Sequence, residues 1–249
     1  MSKVLLVTGA GRGIGAAIAR AAGKAGYRVV VNYAHSKDAA EALAGEIKQH
    51  GGEAVAIQGD VGVEADIERL FKAIDDKYGR LDALVNNAGV IGPYGKVEAL
   101  KAKDVEQLLS INVTGALICA REAVRRMSTA RGGKGGVIVN ISSAATTLGS
   151  PNEFIAYAAS KGAINSMTIG LAKEVGNEGI RVNAVEPGLI ETEIHEAAGP
   201  PGRLARLTPS VPLGGRGGTA DEVAGPVLFL MSDAASYMTG AIIRVGGGR

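Results

Sequence analysis

Short runs rich in Val, Ile and Leu alternate along the chain with longer, Ala-rich amphipathic segments. Runs that are continuously apolar are typical of strands buried on both faces of a parallel sheet. The predicted strands are Lys3–Thr8, Arg28–Asn32, Ala54–Gln58, Ala83–Asn86, Gly136–Ile141, Arg181–Val185 and Ala241–Val245. The predicted helices are Ile14–Ala25, Lys37–His50, Glu64–Tyr78, Lys103–Met127, Ile155–Val175 and Thr219–Ser232. This alternation predicts an α/β fold, a doubly wound parallel sheet with helices on both faces.

The 249 residues contain no internal repeat and no Pro/Ser-rich linker, so residues 1–249 are predicted to form one domain. The segment Pro187–Gly218 interrupts the alternation and holds five of the eight prolines. A structureless loop of that length in a compact domain is functional or mobile. Because it follows the carboxyl end of a strand, where open α/β sheets bind ligands, we predict a mobile substrate loop at about residues 189–215.

Composition and charge exclude several classes of protein. Hydrophobic residues at 46% and charged residues at 21% exclude a disordered chain, and the 37 glycines have no collagen-like period. A net charge of +2 gives no electrostatic reason to expect a nucleic-acid partner. The apolar run Val4–Val7 is too short for a signal sequence or a membrane span, and the single cysteine, Cys119, cannot form an internal disulfide. We therefore expect a cytoplasmic protein with no membrane partner, and no metal site is predicted.

A glycine-rich loop, Thr8-Gly9-Ala10-Gly11-Arg12-Gly13-Ile14-Gly15, follows the first predicted strand and opens into a helix. Glycines allow a tight turn and a close approach of the backbone to phosphates, while the helix N-terminus offers unpaired N–H groups and a partial positive charge. Gly9, Gly13, Ile14 and Gly15 are therefore predicted to bind the pyrophosphate of a dinucleotide. The loop by itself leaves S-adenosylmethionine open as an alternative ligand.

The residues after the second predicted strand bear on the choice of cofactor. NAD-binding folds place Asp or Glu about 20 residues after the glycine loop, where it binds the ribose 2′-hydroxyl. Here the strand runs into Asn32, and no carboxylate appears before Asp38. Arg12 can supply a cation for a 2′-phosphate, and Asn32, His35 and Ser36 can supply hydrogen-bond donors. The sequence thus predicts NADP(H), with NAD(H) as the alternative.

Tyr157 and Lys161 lie four residues apart on a predicted helix, so their side chains share one face. A free phenol has a pKa of about 10, and a neighbouring ammonium group favours the phenolate. Ser143 follows the fifth predicted strand at its carboxyl edge, where a hydroxyl can polarise a substrate carbonyl. Taken alone, a Tyr–Lys pair at this spacing also occurs by chance in many helices.

These motifs together resemble the short-chain dehydrogenases/reductases, which have a Rossmann fold. The resemblance covers essentially the whole chain, in order. The matching positions are the Thr8–Gly15 loop, Asp60-Val61, Asn86-Asn87-Ala88-Gly89, Asn112, Ser143, Tyr157 with Lys161, Pro187-Gly188 and Thr192.

The resemblance implies a role for each of four catalytic residues. Tyr157 is expected to give a proton to the carbonyl oxygen in reduction and to take it back in oxidation. Lys161 is expected to hold the nicotinamide ribose and to lower the pKa of the tyrosine. Ser143 is expected to hydrogen-bond the reacting oxygen. Asn112 is expected to distort its helix and to position a water that links Lys161 to solvent.

The resemblance also implies cofactor contacts and an assembly. Asp60 is expected to bind the adenine with Val61 beside it, and Thr192 to reach the nicotinamide carboxamide or a phosphate. Pro187-Gly188 is expected to turn the chain or to line the cofactor. The residues expected on the adenosine-ribose side are Asn87, Ala88 and Gly89. The family suggests a homotetramer, and Asn86 is open between a structural and a functional role.

Two departures from the family pattern concern the substrate. Ser143 and Tyr157 are 14 positions apart, longer than the commonest spacing, and the extra length lies in Pro151–Phe154. This leaves Ser142 open as an alternative to Ser143. Glu178 stands where acyl-carrier-protein reductases of the family often carry a basic residue, which disfavours an acidic carrier as substrate.

The sequence therefore predicts an NADP(H)-dependent oxidoreductase that moves a hydride between nicotinamide and a carbonyl or secondary alcohol. The alternatives are a 3-oxoacyl-(acyl-carrier-protein) reductase and an NAD-dependent sugar or alcohol dehydrogenase. A methyltransferase would not explain Tyr157 with Lys161. The substrate pocket is expected between Ile91–Tyr94, Ala144–Phe154 and Leu189–Gly215.

Overall fold

A computed structural model of the chain describes residues 2–192 and 199–249. Seven parallel strands form one sheet in the order β3-β2-β1-β4-β5-β6-β7, which confirms the predicted fold class. The strands are β1 (Val4–Val7), β2 (Arg28–Tyr33), β3 (Glu53–Gln58), β4 (Ala83–Asn86), β5 (Gly136–Ile141), β6 (Ile180–Pro187) and β7 (Ile242–Val245).

The helices cover both faces of this sheet. Among the described residues they are α1 (Gly13–Lys24), α2 (Lys37–Gln49), α3 (Glu64–Tyr78), α4 (Ala102–Leu109), α5 (Ala116–Met127), α6 (Ala145–Leu148), α7 (Ile155–Val175), α8 (Arg203–Leu207) and α9 (Ala220–Met231). Single 3₁₀ turns occupy Val97–Ala99, Thr129–Arg131, Gly176–Glu178, Thr208–Ser210 and Asp233–Ala235. The long helix predicted over Lys103–Met127 is present as α4 and α5, joined without a break by a π-helical turn over Ser110–Gly115.

Two hydrophobic cores lie on opposite sides of the sheet. Leu5 and Val7 of β1 pack into the core formed with α1, α2 and α9. Val4 and Leu6 point the other way, into the core formed with α3, α5 and α7. Because helices cover both faces, each strand is apolar at consecutive positions and does not alternate with polar residues.

The strand order reverses between β1 and β4, and this reversal determines where a ligand crevice opens. From β1 the chain builds outward to β2 and β3, and from β4 it builds in the other direction through β5 and β6 to β7. The loops that leave β1 and β4 therefore diverge and open a crevice at the carboxyl edge of the sheet, the usual ligand site of such folds. The glycine loop follows β1 at this edge.

The segment between β6 and α9 has more structure than the sequence suggested. Its two ends are joined by hydrogen bonds from Glu191 N to Gly218 O (2.9 Å) and from Gly218 N to Leu189 O (2.8 Å). Between them lie α8 and a 3₁₀ turn, and Leu213 N donates to Gly247 O at 2.9 Å. Residues 193–198 of the loop predicted to be mobile lie outside the described residues. Among residues 2–192 and 199–249, no helix is long and apolar enough to cross a membrane.

Candidate functional site

The glycine loop is shaped so that its backbone can meet a phosphate. Gly9 and Gly13 have φ angles of 59° and 56°, in the left-handed region that favours glycine. A Cβ at Gly9 would lie 2.9 Å from Ala88 Cα, so no side chain fits there. Arg12 precedes α1 as its N-cap residue and makes no side-chain cap, which leaves the first N–H groups of the helix for a ligand. These features fit the pyrophosphate of a dinucleotide.

Hydrogen bonds from the loop after β4 hold the glycine loop in place. Thr8 Oγ1 accepts from the backbone N–H groups of Asn87 and Ala88, both at 3.0 Å. The Asn87 amide donates to Thr8 O (2.9 Å) and to Gly9 O (3.1 Å). A Cβ at Gly15 would come within 2.5 Å of this amide nitrogen, so Gly15 makes room for Asn87. The Asn87 side chain therefore shapes the loop that the cofactor would contact.

Asn32 is also part of the scaffold of the loop. Its side chain is 1% exposed; Oδ1 accepts from Gly9 N at 3.2 Å, and Nδ2 donates to Gly59 O (2.9 Å) and Ile57 O (3.3 Å). This geometry corrects the expectation that Asn32 donates to a 2′-phosphate, because both of its amide protons are bound to carbonyl groups inside the fold.

The other three residues expected at a 2′-phosphate lie on the surface together. Arg12, His35 and Ser36 are exposed. A Cβ built at Gly11 would lie 3.6 Å from Ser36 Cβ, so the glycine loop and the start of α2 are in contact. Within residues 2–192 and 199–249, the Arg12 guanidinium has no hydrogen-bond or ion-pair partner. It can therefore turn toward an anion bound beside Ser36.

Asp60 and Val61 form the turn after β3. Asp60 Oδ1 accepts from Gly62 N at 2.8 Å, and the Asp60 N–H donates to Asp66 Oδ2 at 3.1 Å. Val61 is buried, and a Cβ at Gly115 would lie only 2.3 Å from its carbonyl oxygen. The turn therefore packs directly on the π-helical turn between α4 and α5.

Lys161 is held inside the fold at the carboxyl end of β5. Its side chain is 5% exposed, and Nζ donates to Ile141 O at 2.8 Å. Nζ lies 5.7 Å from the centre of the Tyr157 ring, and a Cβ at Gly89 would be 3.5 Å from it. Burial lowers the pKa of Lys161 to about 8, because the charged form is poorly solvated there.

Tyr157 is half-buried, and its hydroxyl is paired with Ser143. Burial raises the pKa of the Tyr157 phenol, and the hydrogen bond with Ser143 lowers it by less. The Lys161 ammonium is bonded to Ile141 O, and the lowering of the Tyr157 pKa by Lys161 that the resemblance implies stays a prediction. Ser142 is buried with Oγ donating to Lys161 O at 3.2 Å, so Ser143 is the serine that faces the phenol.

Asn112 lies in the π-helical turn, so the helix distortion implied by the resemblance is present. Oδ1 accepts from Val90 N (2.8 Å), while Nδ2 donates to Val90 O (2.8 Å) and to Ser160 Oγ (3.1 Å). The side chain is 1% exposed and ties the loop after β4 to the residue before Lys161. Its role in holding a water stays a prediction.

The sequence left a structural and a functional role open for Asn86, and its contacts are structural. Its amide donates to Asn140 Oδ1 (3.0 Å) and Ala116 O (3.2 Å), and Asn140 Nδ2 donates to Thr168 Oγ1 at 2.9 Å. This buried chain joins β4, β5 and α7. Sequence reasoning missed Asn140 and Thr168, although a lone Asn in an apolar strand predicts a buried partner.

The turn after β6 approaches β7 closely. Gly188 N donates to Val245 O at 2.9 Å, and a Cβ at Gly188 would lie 2.7 Å from Gly246 Cα. Pro187 O accepts from Ala144 N at 2.9 Å, which ties the turn to the segment that carries Ser143. Thr192 Oγ1 lies 3.4 Å from Ile190 O, at the edge of the described residues.

The segments expected to line the substrate pocket are in contact with one another. Tyr94 and Phe154 pack edge to face with ring centres 5.4 Å apart, and Gly95 N donates to Glu153 O at 2.8 Å. Glu153 forms ion pairs with Arg203 (2.6 Å) and Arg206 (2.8 Å) of α8. Sequence reasoning missed these charged residues, because they lie about 50 positions apart in the chain.

Replacing Lys161 with Met tests the cost of burying its ammonium. The folded-state pKa of about 8 lies below the value of about 10.4 in an unfolded chain, so the unfolded chain binds more protons between these values. Wild-type stability should therefore rise with pH across this window. At pH 7 the Lys161→Met variant should be more stable than wild type by about 1–3 kcal/mol, and this difference should shrink between pH 8 and 10.

Urea unfolding at pH 7 and pH 10 measures this effect, with exposed Lys173→Met on the same helix as the control. A stability difference for Lys161→Met that is equal at the two pH values would contradict the buried, easily deprotonated lysine.

Comparison with known proteins agrees with this arrangement. A family model described as enoyl-(acyl carrier protein) reductase matches residues 9–249. The Escherichia coli protein YgfF, named as an uncharacterized oxidoreductase, is 48% identical over 246 residues, which is 99% of each chain. A 3-oxoacyl-(acyl-carrier-protein) reductase of Synechocystis sp. is 39% identical over 99% of this chain and 96% of its own.

A solved structure has the same fold throughout. It is a short-chain dehydrogenase from Burkholderia cenocepacia in complex with NADP, with a TM-score of 0.90 and 32% identity over 99% of this chain and 97% of that chain. The sequence relatives, the shared fold and the matching motifs lead to one conclusion. The chain is an NAD(P)-dependent oxidoreductase of the short-chain dehydrogenase/reductase family.

Proposed function

We propose that this oxidoreductase moves a hydride between NADP(H) and a carbonyl or secondary-alcohol substrate, with Ser143, Tyr157 and Lys161 as its catalytic residues. The observation that carries the proposal is the meeting of these three side chains at the carboxyl edge of the sheet. They lie at the same edge as a glycine loop shaped for a pyrophosphate. The bound nicotinamide supplies or accepts the hydride, and the chain supplies binding, orientation and proton transfer.

In this proposal the Tyr157 hydroxyl gives its proton to the carbonyl oxygen during reduction and takes it back during oxidation. Ser143 holds that oxygen, because its hydroxyl is a hydrogen-bond partner of the phenol. Burial keeps the phenol protonated, which suits a proton donor. Lys161, with its pKa near 8, holds the nicotinamide ribose and passes protons close to neutral pH. Asn112 orders the backbone beside Lys161.

The preference for NADP(H) rests on the charge of Arg12 in the glycine loop and on the hydrogen-bond donors just before α2. Arg12, His35 and Ser36 are exposed next to the glycine loop, and all three can bind a 2′-phosphate. The Burkholderia relative is in complex with NADP. The remaining cofactor contacts in the proposal are those of the glycine loop, Asp60, Val61, the residues 87–89, Pro187-Gly188 and Thr192. NAD(H) is the alternative.

We also propose that the protein is a homotetramer, and that it is cytoplasmic. Large apolar side chains on the long helices are partly exposed in the single chain: Leu109 by 38%, Leu117 by 47% and Ile169 by 41%. Exposed apolar positions on neighbouring helices are typical of surfaces between subunits. The family resemblance suggests the same helices and the C-terminal strand as contacts between subunits.

The Tyr157→Phe variant should lose its activity. Removing a general acid costs about 10²–10⁴-fold in rate, and the ring remains to fill its place. We expect kcat for ketone reduction to fall by at least about 100-fold, with the NADPH dissociation constant within about twofold of wild type. NADPH absorbance and fluorescence measure the two quantities. Tyr237→Phe, at a fully exposed tyrosine, is the control; near-normal turnover by Tyr157→Phe would refute the assignment.

The Arg12→Gln variant should bind NADPH more weakly and NADH as before. A charge-assisted contact to phosphate contributes about 1.5–3 kcal/mol, so the NADPH dissociation constant should rise about 10- to 100-fold. Arg20→Gln, on the same helix but paired with Glu46, is the matched control. Equal weakening of NADPH and NADH would show that the 2′-phosphate is bound elsewhere.

A carrier-linked substrate is the second candidate, because the Synechocystis relative is named a 3-oxoacyl-(acyl-carrier-protein) reductase. Glu178 remains acidic where a basic residue would help a carrier bind, and its carboxylate accepts a hydrogen bond from Ser128. We expect kcat/KM to be no higher for a 3-oxoacyl group on its acyl carrier protein than for the same group on a small thioester. A preference for the carrier of tenfold or more would favour the second candidate.

A further inference from the structure

The loop of unusual length between Ser143 and Tyr157 has a strained backbone. Ser150 and Asn152 have φ angles of 46° and 61°, and they are the non-glycine residues with positive φ in the described part of the chain. Left-handed conformations cost free energy for residues with a Cβ, so other contacts must hold the loop in this form. The contacts come from the next residues, Glu153 and Phe154.

Glu153 is the centre of a compact group of charges. Its Oε2 accepts from Nε (2.9 Å) and Nη2 (2.6 Å) of Arg203, and its Oε1 accepts from Nη2 of Arg206 (2.8 Å). The Glu153 side chain is 16% exposed and that of Arg203 is 8% exposed. Burial raises the pKa of Glu153, but the two arginines outweigh it and hold this pKa below its usual value. We call these ion pairs the Glu153 clasp; it ties α8 to the loop before α7.

An aromatic pair lies against the clasp. The Arg203 guanidinium is 5.1 Å from the centre of the Phe154 ring, and Phe154 meets Tyr94 edge to face. Phe154 is 2% exposed, whereas Tyr94 is 48% exposed, so Tyr94 forms the surface of the pair. A Cβ at Gly199 would touch Tyr94, Phe154 and Arg203 at 3.2–3.4 Å. Phe154 lies three residues before Tyr157, so this wall begins one helical turn from the proton donor.

The segments around the crevice expose further apolar side chains. After β4 come Val90, 37% exposed, and Tyr94; after β5 come Leu148 and Ile155, 45% and 42% exposed. Leu213, in the segment after β6, is 65% exposed. Exposed apolar side chains on the loops around a ligand crevice suit a ligand with an apolar part.

We propose that Glu153 and Arg203 are positioning residues that hold Tyr94 and Phe154 as one wall of the substrate site, and that this wall binds an apolar substituent on the carbonyl substrate. The inference rests on the proposed carbonyl reduction. The wall consists of two side chains, Tyr94 and Phe154, and Arg203 of α8 holds it from behind, so the clasp acts on substrate binding and not on proton transfer. A bulky apolar ketone should therefore be preferred over a small one.

Two ketones that differ in one substituent test the proposal. The probes are 1-phenyl-1,2-propanedione and 2,3-butanedione, in which a methyl group replaces the phenyl ring. We expect wild-type kcat/KM to be at least about tenfold higher for the phenyl probe. Glu153→Gln keeps the side-chain size and removes the charge. It should raise KM for the phenyl probe about five- to tenfold, with kcat for both probes, KM for the methyl probe and NADPH affinity within about twofold.

Three further variants separate positioning from general stability. Glu153→Asp keeps the charge and should restore KM for the phenyl probe to within about threefold of wild type. Tyr94→Ala removes the surface of the wall and should raise the same KM without the clasp being touched. Glu46→Gln breaks the exposed ion pair with Arg20 and should change neither probe. Tyr94→Ala tests the wall even if Glu153→Gln does not fold.

The proposal is overturned if wild type does not prefer the phenyl probe, or if Glu153→Gln raises KM equally for both. It is also overturned if kcat, NADPH affinity and thermal stability fall together, which indicates a structural role alone. If the protein binds NADPH but turns over neither probe, the proposed role of the wall is contradicted and the proposed function is not. Absence of NADPH binding, or full activity of Tyr157→Phe, refutes the proposed function itself.

Discussion

A buried ammonium group needs an acceptor, and much of the site is arranged around that requirement of Lys161. The last carbonyl of β5 accepts its hydrogen bond, so the central sheet itself holds this lysine. Gly89 leaves room beside the ammonium, and Asn112 fixes the neighbouring backbone from the π-helical turn. The free energy that this burial costs is offset by the two apolar cores on either side of the sheet. The stability that the cores contribute thus permits the fold to bury Lys161, and this burial lowers its pKa to about 8.

Asparagine side chains hold several of the loops at the carboxyl edge of the sheet. Asn32, Asn87 and Asn112 each pair with backbone groups of loops that lack regular partners. An amide both donates and accepts, so it can satisfy the N–H and C=O groups of a turn together. With the loops held in this way, Arg12 and Ser36 remain exposed for a ligand. A polar residue whose type suggests a ligand contact can therefore instead hold the loop that the ligand contacts.

The two sides of the crevice are built by different kinds of interaction. The glycine loop is held by backbone geometry and by short contacts that exclude even a Cβ, so few substitutions are compatible with it. The substrate side is held by side chains, namely the Glu153 clasp and the Tyr94–Phe154 pair. Side-chain contacts between loops can be replaced without rebuilding the sheet. Substrate specificity can therefore change on this fold while the proposed cofactor site keeps its shape.

The apolar runs determined the sheet and its two helical layers, because continuous burial requires them. The glycine loop and the Tyr157–Lys161 spacing predicted the edge of the sheet at which we propose the chemistry. Pattern alone did not reveal that Asn32 faces inward, that Ser143 and not Ser142 meets the phenol, or that Glu153 joins Arg203. Each of these depends on which way one side chain points and on a partner from another part of the chain, 50 positions away in the case of Glu153 and Arg203. Periodicity records whether a position is buried, whereas only the packed tertiary structure decides which polar groups satisfy one another there.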